Sequence, residues 1–198
     1  MVNTGNNERR FDMISKIYEI TSLVSHRMVQ LNGLVLLLTA FLVAGDVISR
    51  KFLNITLAGS DEISGYVVAI SSVWAYSFCL IHRSHIRIDV GYALFPSSIR
   101  GWLDILGLLA LLTFSAILSY RALGVLRESL AWGSVSNTPL QTPLWLPQVL
   151  WVAGLMFFTF TLIVLFVRAM LAIVRGDRDL VARIAGIPTI KEEIESET

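Results

Sequence analysis

Apolar residues gather in four long runs along this chain, separated by short polar stretches. The runs cover about residues 29–49, 62–81, 102–123 and 144–167. Crossing ~30 Å of hydrocarbon takes about 20 mainly apolar residues, and each run reaches that length. Residues 103–119 contain one charge, Asp104, and residues 129–167 contain none. The pattern predicts an all-α integral membrane protein with four transmembrane helices. Before the first run the periodicity changes. Phe11, Ile14, Tyr18 and Thr21, flanked by Ile17 and Val24, make one helical face, and Arg9, Arg10, Asp12, Lys16 and Glu19 lie elsewhere. An N-terminal amphipathic helix at the membrane surface fits this pattern; a simple continuation of span one fits it nearly as well. The chain thus divides into an N-terminal segment (1–28), a four-helix membrane domain (29–170) and a C-terminal tail (171–198).

Charge adds an orientation. Of the 16 Lys and Arg residues, twelve fall in the N-terminal segment, the 82–100 loop and the segment from Arg168 onward. Four, Arg50, Lys51, Arg121 and Arg127, fall on the other side. Lys and Arg accumulate on the cytoplasmic side, so both termini are expected inside. No cleavable signal peptide is expected, because the first apolar run is too long for one. Composition agrees with a membrane protein: 55% of residues are hydrophobic and 16% charged, whereas a soluble domain is about a quarter charged. A lone cysteine, Cys79, excludes an internal disulfide framework and any CxxC site.

Polar residues cluster at the ends of the spans. Asp46 and Arg50 are four apart and share a helical face, which predicts a structural ion pair. Gly59-Ser60 reads as a cap for the second helix, with Asp61 and Glu62 in its first turn, where carboxylates suit the helix dipole. Ser64, Ser71, Ala75 and Cys79, with Gly65, Ala69 and Ser72 nearby, form a seam of small residues along span two. Small residues let helices approach closely in lipid, so that seam, with Trp74 beside it, is expected to face protein. The 82–100 loop carries His82, Arg83, His85, Arg87, Asp89 and Arg100 among Ile86, Ile88, Val90, Leu94 and Phe95. This reads as a short interfacial helix meeting headgroups or a partner. The two histidines lack a third ligand, so no metal site is expected. Beyond Ala122 the apolar pattern weakens through Val125, Leu126, Leu130 and Trp132, which predicts a third helix projecting a turn or two out of the membrane. Residues 133–143 form a charge-free turn region, and Trp145, Pro147 and Trp151 open span four as an aromatic belt.

No phosphate-binding glycine loop, GxSxG elbow or intramembrane histidine pair is present. The spans lack the central interruptions of a complete transporter. These residues describe a small non-enzymatic membrane subunit with no cofactor, no metal and no nucleic-acid partner.

Taken in order, Asp46, Arg50 and Phe52, then Asp61-Glu62, then His85-Ile86-Arg87-Ile88-Asp89, Pro96 and Arg100, resemble the small membrane subunit of TRAP transporters, the DctQ family. Pro143, Trp145 and Pro147 before span four also fit, and the resemblance covers about residues 30–170. Ala75-Tyr76-Ser77 departs from the Gly-Ala-Ala-like residues frequent in the family. The resemblance implies a multi-pass protein of the bacterial inner membrane. It would be a scaffold for a large membrane subunit in Na⁺-coupled uptake of an organic acid, a C4-dicarboxylate or similar carboxylate, delivered by a periplasmic substrate-binding protein. Ser64, Ser71, Trp74 and Ala75 would face the large subunit. His85, Arg87, Asp89 and Arg100 would anchor the cytoplasmic interface to lipid or partner, and Asp61 and Glu62 would lie on the periplasmic side. Two rival classes stay open: a free-standing small transporter or channel, and a quinone- or haem-associated membrane subunit.

Overall fold

A computed structural model describes residues 4–82 and 97–174 of the chain. Four helices account for most of them: α1 (Thr4–Leu53), α2 (Ser60–Ile81), α3 (Ser97–Trp132) and α4 (Trp145–Val174). All four include a stretch long and apolar enough to cross a membrane. Among the described residues there is no strand beyond one isolated bridge, Val135 with Pro143.

The amphipathic segment and span one are a single helix of 50 residues. No proline and no glycine falls between Asn6 and Asn32, so nothing in the backbone breaks the hydrogen-bond ladder where a separate surface helix would have to end. The interfacial helix expected around His85, Arg87 and Asp89 lies outside the described residues, as do the residues after Val174.

The contacts group the chain into two compact units. One comprises residues 1–23, 78–114 and 159–198, the other residues 24–77 and 115–158. In the first, Leu80, Ile105, Leu108, Leu162, Leu165, Ala169 and Ala172 are buried. Arg168 lays its guanidinium 3.9 Å from the centre of the Tyr18 ring, a cation–π contact. Asp104 is buried there and is not without a partner. His82 is exposed and stacks on Phe78 one turn earlier, with Nδ1 3.0 Å from the Phe78 carbonyl oxygen.

In the second unit, Val73, Ala122, Val152 and Leu155 form a buried cluster, with Leu118, Leu123, Leu126 and Trp151 packed on it. That cluster shows what the third helix packs against around Ala122. The helix packs beside the apolar first half of α4, because Ala122 is small enough to seat against Val152 and Leu155. The helix continues to Trp132 and stops by a glycine device. Gly133 takes φ 57°, and the Ser134 amide donates to the Ser129 carbonyl at 3.1 Å, the hydrogen bond that closes a Schellman turn.

Candidate functional site

The polar chemistry of the second unit concentrates where α1 passes into α2 and where the α3–α4 loop lies. Asp46 is buried on the penultimate turns of α1. Its Oδ2 accepts from the Arg50 guanidinium at 2.5 Å and from the Ser60 hydroxyl at 3.0 Å, and its Oδ1 accepts from the Leu57 amide at 2.7 Å. One carboxylate therefore holds its own helix, the linker and the start of α2. Hydrogen bonds to a charged group contribute about 1.5–3 kcal/mol each, so this knot is a substantial local fastening. Two backbone features let the chain turn around it. Asn54 ends α1 at φ 55°, a left-handed conformation that asparagine tolerates better than most residues. Gly59 has φ 93°, and a Cβ there would collide with Leu140. Ser60 was expected as a cap for α2; its hydroxyl instead donates across to Asp46.

Glu62 does for the α3–α4 loop what Asp46 does for the α1–α2 link. Its Oε2 accepts from the Thr138 hydroxyl, and its Oε1 accepts from Tyr66 at 2.9 Å. Ser136 stands 2.8 Å from Thr138, hydroxyl to hydroxyl. The loop is further closed on itself: Ser136 donates to Thr142 at 2.9 Å, Gln141 to Thr138 at 3.0 Å and Leu144 to Ser134 at 3.0 Å. Asp61, by contrast, is exposed, and its carbonyl accepts from Ser64 at 2.9 Å.

Deeper in the same unit Trp74 is fixed by three contacts. Its indole N–H donates to the Leu150 carbonyl at 3.0 Å, its ring stacks on Phe157 at 5.7 Å, and it lies against Gly154. Leu150 sits one helical turn before Gly154, so the missing side chain opens the notch through which the indole reaches that carbonyl. Asn32 on α1 donates to the Ser71 carbonyl at 3.4 Å.

Residues 39–172 match the family model described as tripartite ATP-independent periplasmic transporters, DctQ component. The matched stretch is about two thirds of the chain and contains both carboxylate knots. The chain belongs to the DctQ family. No curated protein and no solved structure matches it. It is therefore the small membrane component of a TRAP transporter, a multi-pass membrane protein from a family of transporter components.

Within this DctQ chain the expected residues go to different places. Asp46 and Arg50 are in contact. Glu62 faces the 133–143 loop, whereas its neighbour Asp61 points away from that knot into the open. Ser71 is buried and the indole of Trp74 is hydrogen-bonded to α4. Ser64 and Ala75 are half-buried. His85, Arg87 and Asp89 lie outside the described residues.

Three contributors escaped the sequence: Thr138 as the partner of Glu62, Gly154 as the seat of Trp74, and Asn32. The first had a signal. A charge-free loop with hydroxyls at Ser134, Ser136, Thr138 and Thr142 has donors in excess and calls for an acceptor from elsewhere. Gly154 and Asn32 had none, because each depends on which helix lies opposite.

Proposed function

We propose that this DctQ subunit is a scaffold that holds a large transport subunit in the membrane, without forming the substrate pocket. The observation that carries this reading is the employment of its polar groups. Asp46 and Glu62 are fully engaged in fastening loops to helices, while the apolar spans remain open outward. Only 6% of the most apolar window of span one is buried, against 44% in the fourth span. A chain built this way offers rigid apolar helices to another membrane protein. In this reading the large subunit carries Na⁺ and an organic acid, a C4-dicarboxylate or similar carboxylate, and a secreted binding protein delivers that acid. The setting is the bacterial inner membrane, with both termini cytoplasmic and the two knots periplasmic. Ser64 and Ala75 remain available to the large subunit, and His85, Arg87, Asp89 and Arg100 serve as the inner anchor against headgroups.

Co-expression with the co-encoded large membrane protein tests this. The tagged small chain should bring the large subunit down in mild detergent. Proteoliposomes should take up substrate only with both subunits and the binding protein. Uptake by the small chain alone would overturn the scaffold reading.

A further inference from the structure

One arginine of the first unit is held in place by its own chain and given no acceptor by it. Arg168 is the first charge on α4, at the end of a run, residues 129–167, that contains none. It lies on the packed stripe of the helix: Thr161, Leu165 and Ala172, seven and three residues before it and four after, are all buried. Its guanidinium lies 3.9 Å from the centre of the Tyr18 ring on α1, and Thr21, one turn beyond Tyr18, is buried as well. The Nε–H is enclosed and has no hydrogen-bond partner. Among the described residues none accepts from the terminal nitrogens either, and no carboxylate pairs with the side chain. The residue as a whole is half-buried, so the guanidinium keeps an open edge.

That arrangement calls for an anion. A guanidinium drawn out of water costs free energy unless its charge and its donors are met, and contact with one aromatic face meets neither in full. The ring covers one face and the packed stripe covers Nε, which leaves the fork of the two terminal nitrogens. A planar pair of N–H donors matches two oxygens of a phosphate or a carboxylate. The Tyr18 hydroxyl, also without an acceptor among the described residues, stands beside the same guanidinium as a third donor. A phosphate has a further oxygen for it, whereas a carboxylate seated on the fork has none left over. The flanking sequence is cationic too: Arg9, Arg10 and Lys16 precede Tyr18, and Arg175, Arg178 and Arg183 follow Arg168. Basic pockets between membrane helices take phosphate headgroups.

We infer that Arg168 and Tyr18 form a phosphate-binding site between α4 and α1, which takes the phosphate oxyanion of a lipid headgroup or of a soluble phosphate. Arg168 binds two oxygens through its terminal nitrogens, the Tyr18 ring fixes the plane of the guanidinium, and the Tyr18 hydroxyl donates to a third oxygen. Both residues belong to this chain, so the site stands or falls independently of the scaffold reading.

The test uses the full-length chain in mild detergent with three probes: phosphatidylglycerol, phosphate-free diacylglycerol, and inorganic phosphate. Native mass spectrometry measures the lipid retained, and titration calorimetry measures inorganic phosphate. Wild type should retain phosphatidylglycerol saturably and in preference to diacylglycerol. Arg168→Gln should weaken that retention about tenfold, and Arg168→Lys about threefold, because a point charge keeps the attraction and loses the fork. Tyr18→Phe, which keeps the ring and removes the hydroxyl, should weaken it about threefold. Arg127→Gln, at an exposed arginine of α3, should change nothing. Retention of phosphatidylglycerol with no binding of inorganic phosphate supports the inference with a headgroup as the source. Inorganic phosphate that displaces the lipid, and whose binding Arg168→Gln abolishes, supports it with a soluble phosphate as the source. Equal retention by wild type and Arg168→Gln, or of both lipids by wild type, would overturn it. If circular dichroism shows Arg168→Gln unfolded, Tyr18→Phe decides, and unchanged retention there would overturn the site. Loss of large-subunit recovery in Arg168→Gln, with lipid and phosphate binding unchanged, would give the guanidinium to a protein carboxylate and overturn it as well.

Discussion

Gly154→Ala is expected to destabilise the protein, against the usual gain from replacing a helical glycine. In an exposed helix the substitution stabilises by about 1 kcal/mol. Here a Cβ at 154 would sit 2.9 Å from Trp74 Cδ1, 2.9 Å from Val73 Cγ1 and 3.0 Å from Trp74 Nε1, closer than carbon atoms ordinarily approach. Trp74 cannot swing aside cheaply. It is held by its hydrogen bond to Leu150 and its stack on Phe157. Overpacking of this kind costs about 1–3 kcal/mol, so the net effect is a loss of about 1 kcal/mol, roughly fivefold in the folded-to-unfolded ratio. Trp74→Ala alone should cost more, about 3–5 kcal/mol. Added to Trp74→Ala, however, Gly154→Ala should cost clearly less, because two of the three close contacts are gone and only the one with Val73 Cγ1 remains. The coupling between the two sites is therefore about 1–2 kcal/mol. Reversible SDS unfolding in mixed micelles, followed by far-UV circular dichroism, measures it without relying on tryptophan emission. Equal effects of Gly154→Ala in both backgrounds would refute the packing argument.

Three further outcomes follow from the loop fastenings and the buried hydroxyls. Asp46→Ala should cost about 2–4 kcal/mol in the same unfolding assay, since it leaves the Leu57 amide and Ser60 hydroxyl without their acceptor and Arg50 without its counter-charge. Asp46→Asn, which keeps an acceptor, should cost less. Glu62→Leu should free the 133–143 loop, read as faster cleavage there in limited proteolysis, with the melting temperature nearly unchanged. Ser77→Ala should be neutral or stabilise by up to about 1 kcal/mol, because the Ser77 hydroxyl is fully buried with no partner among the described residues; a clear loss would show that it has one.

The apolar runs revealed the four spans because membrane crossing is a property of length and composition, which any window along the chain reports. The Asp46–Arg50 contact was equally legible, since a spacing of four on one helix fixes proximity without knowledge of the fold. The same carboxylate's bonds to Leu57 and Ser60 were not, because they depend on how the chain reverses after Asn54. The contacts of Trp74 with α4 and of Ser71 with Asn32 were hidden for a related reason. Small residues recur on two of its faces, Ser64, Ser71 and Ala75 on one and Gly65, Ala69 and Ser72 on the other, and periodicity cannot say which face the chain keeps for itself. Gly154, 80 residues beyond Trp74 in the chain, seats the indole. Past Ala122 the weak hydropathy reflects charge on one face of a helix whose other face is packed.

This last point connects the fastenings to the function. Between helices in lipid there is no hydrophobic drive to associate, because the acyl chains are as apolar as the side chains. Close packing and hydrogen bonds must then hold the chain together, and here they fall at the helix ends and at a few notches: Asp46, Glu62, Trp74 against Gly154. With the chain braced at those points, the outward faces need not contribute to its own folding and are free to carry side chains chosen for something else.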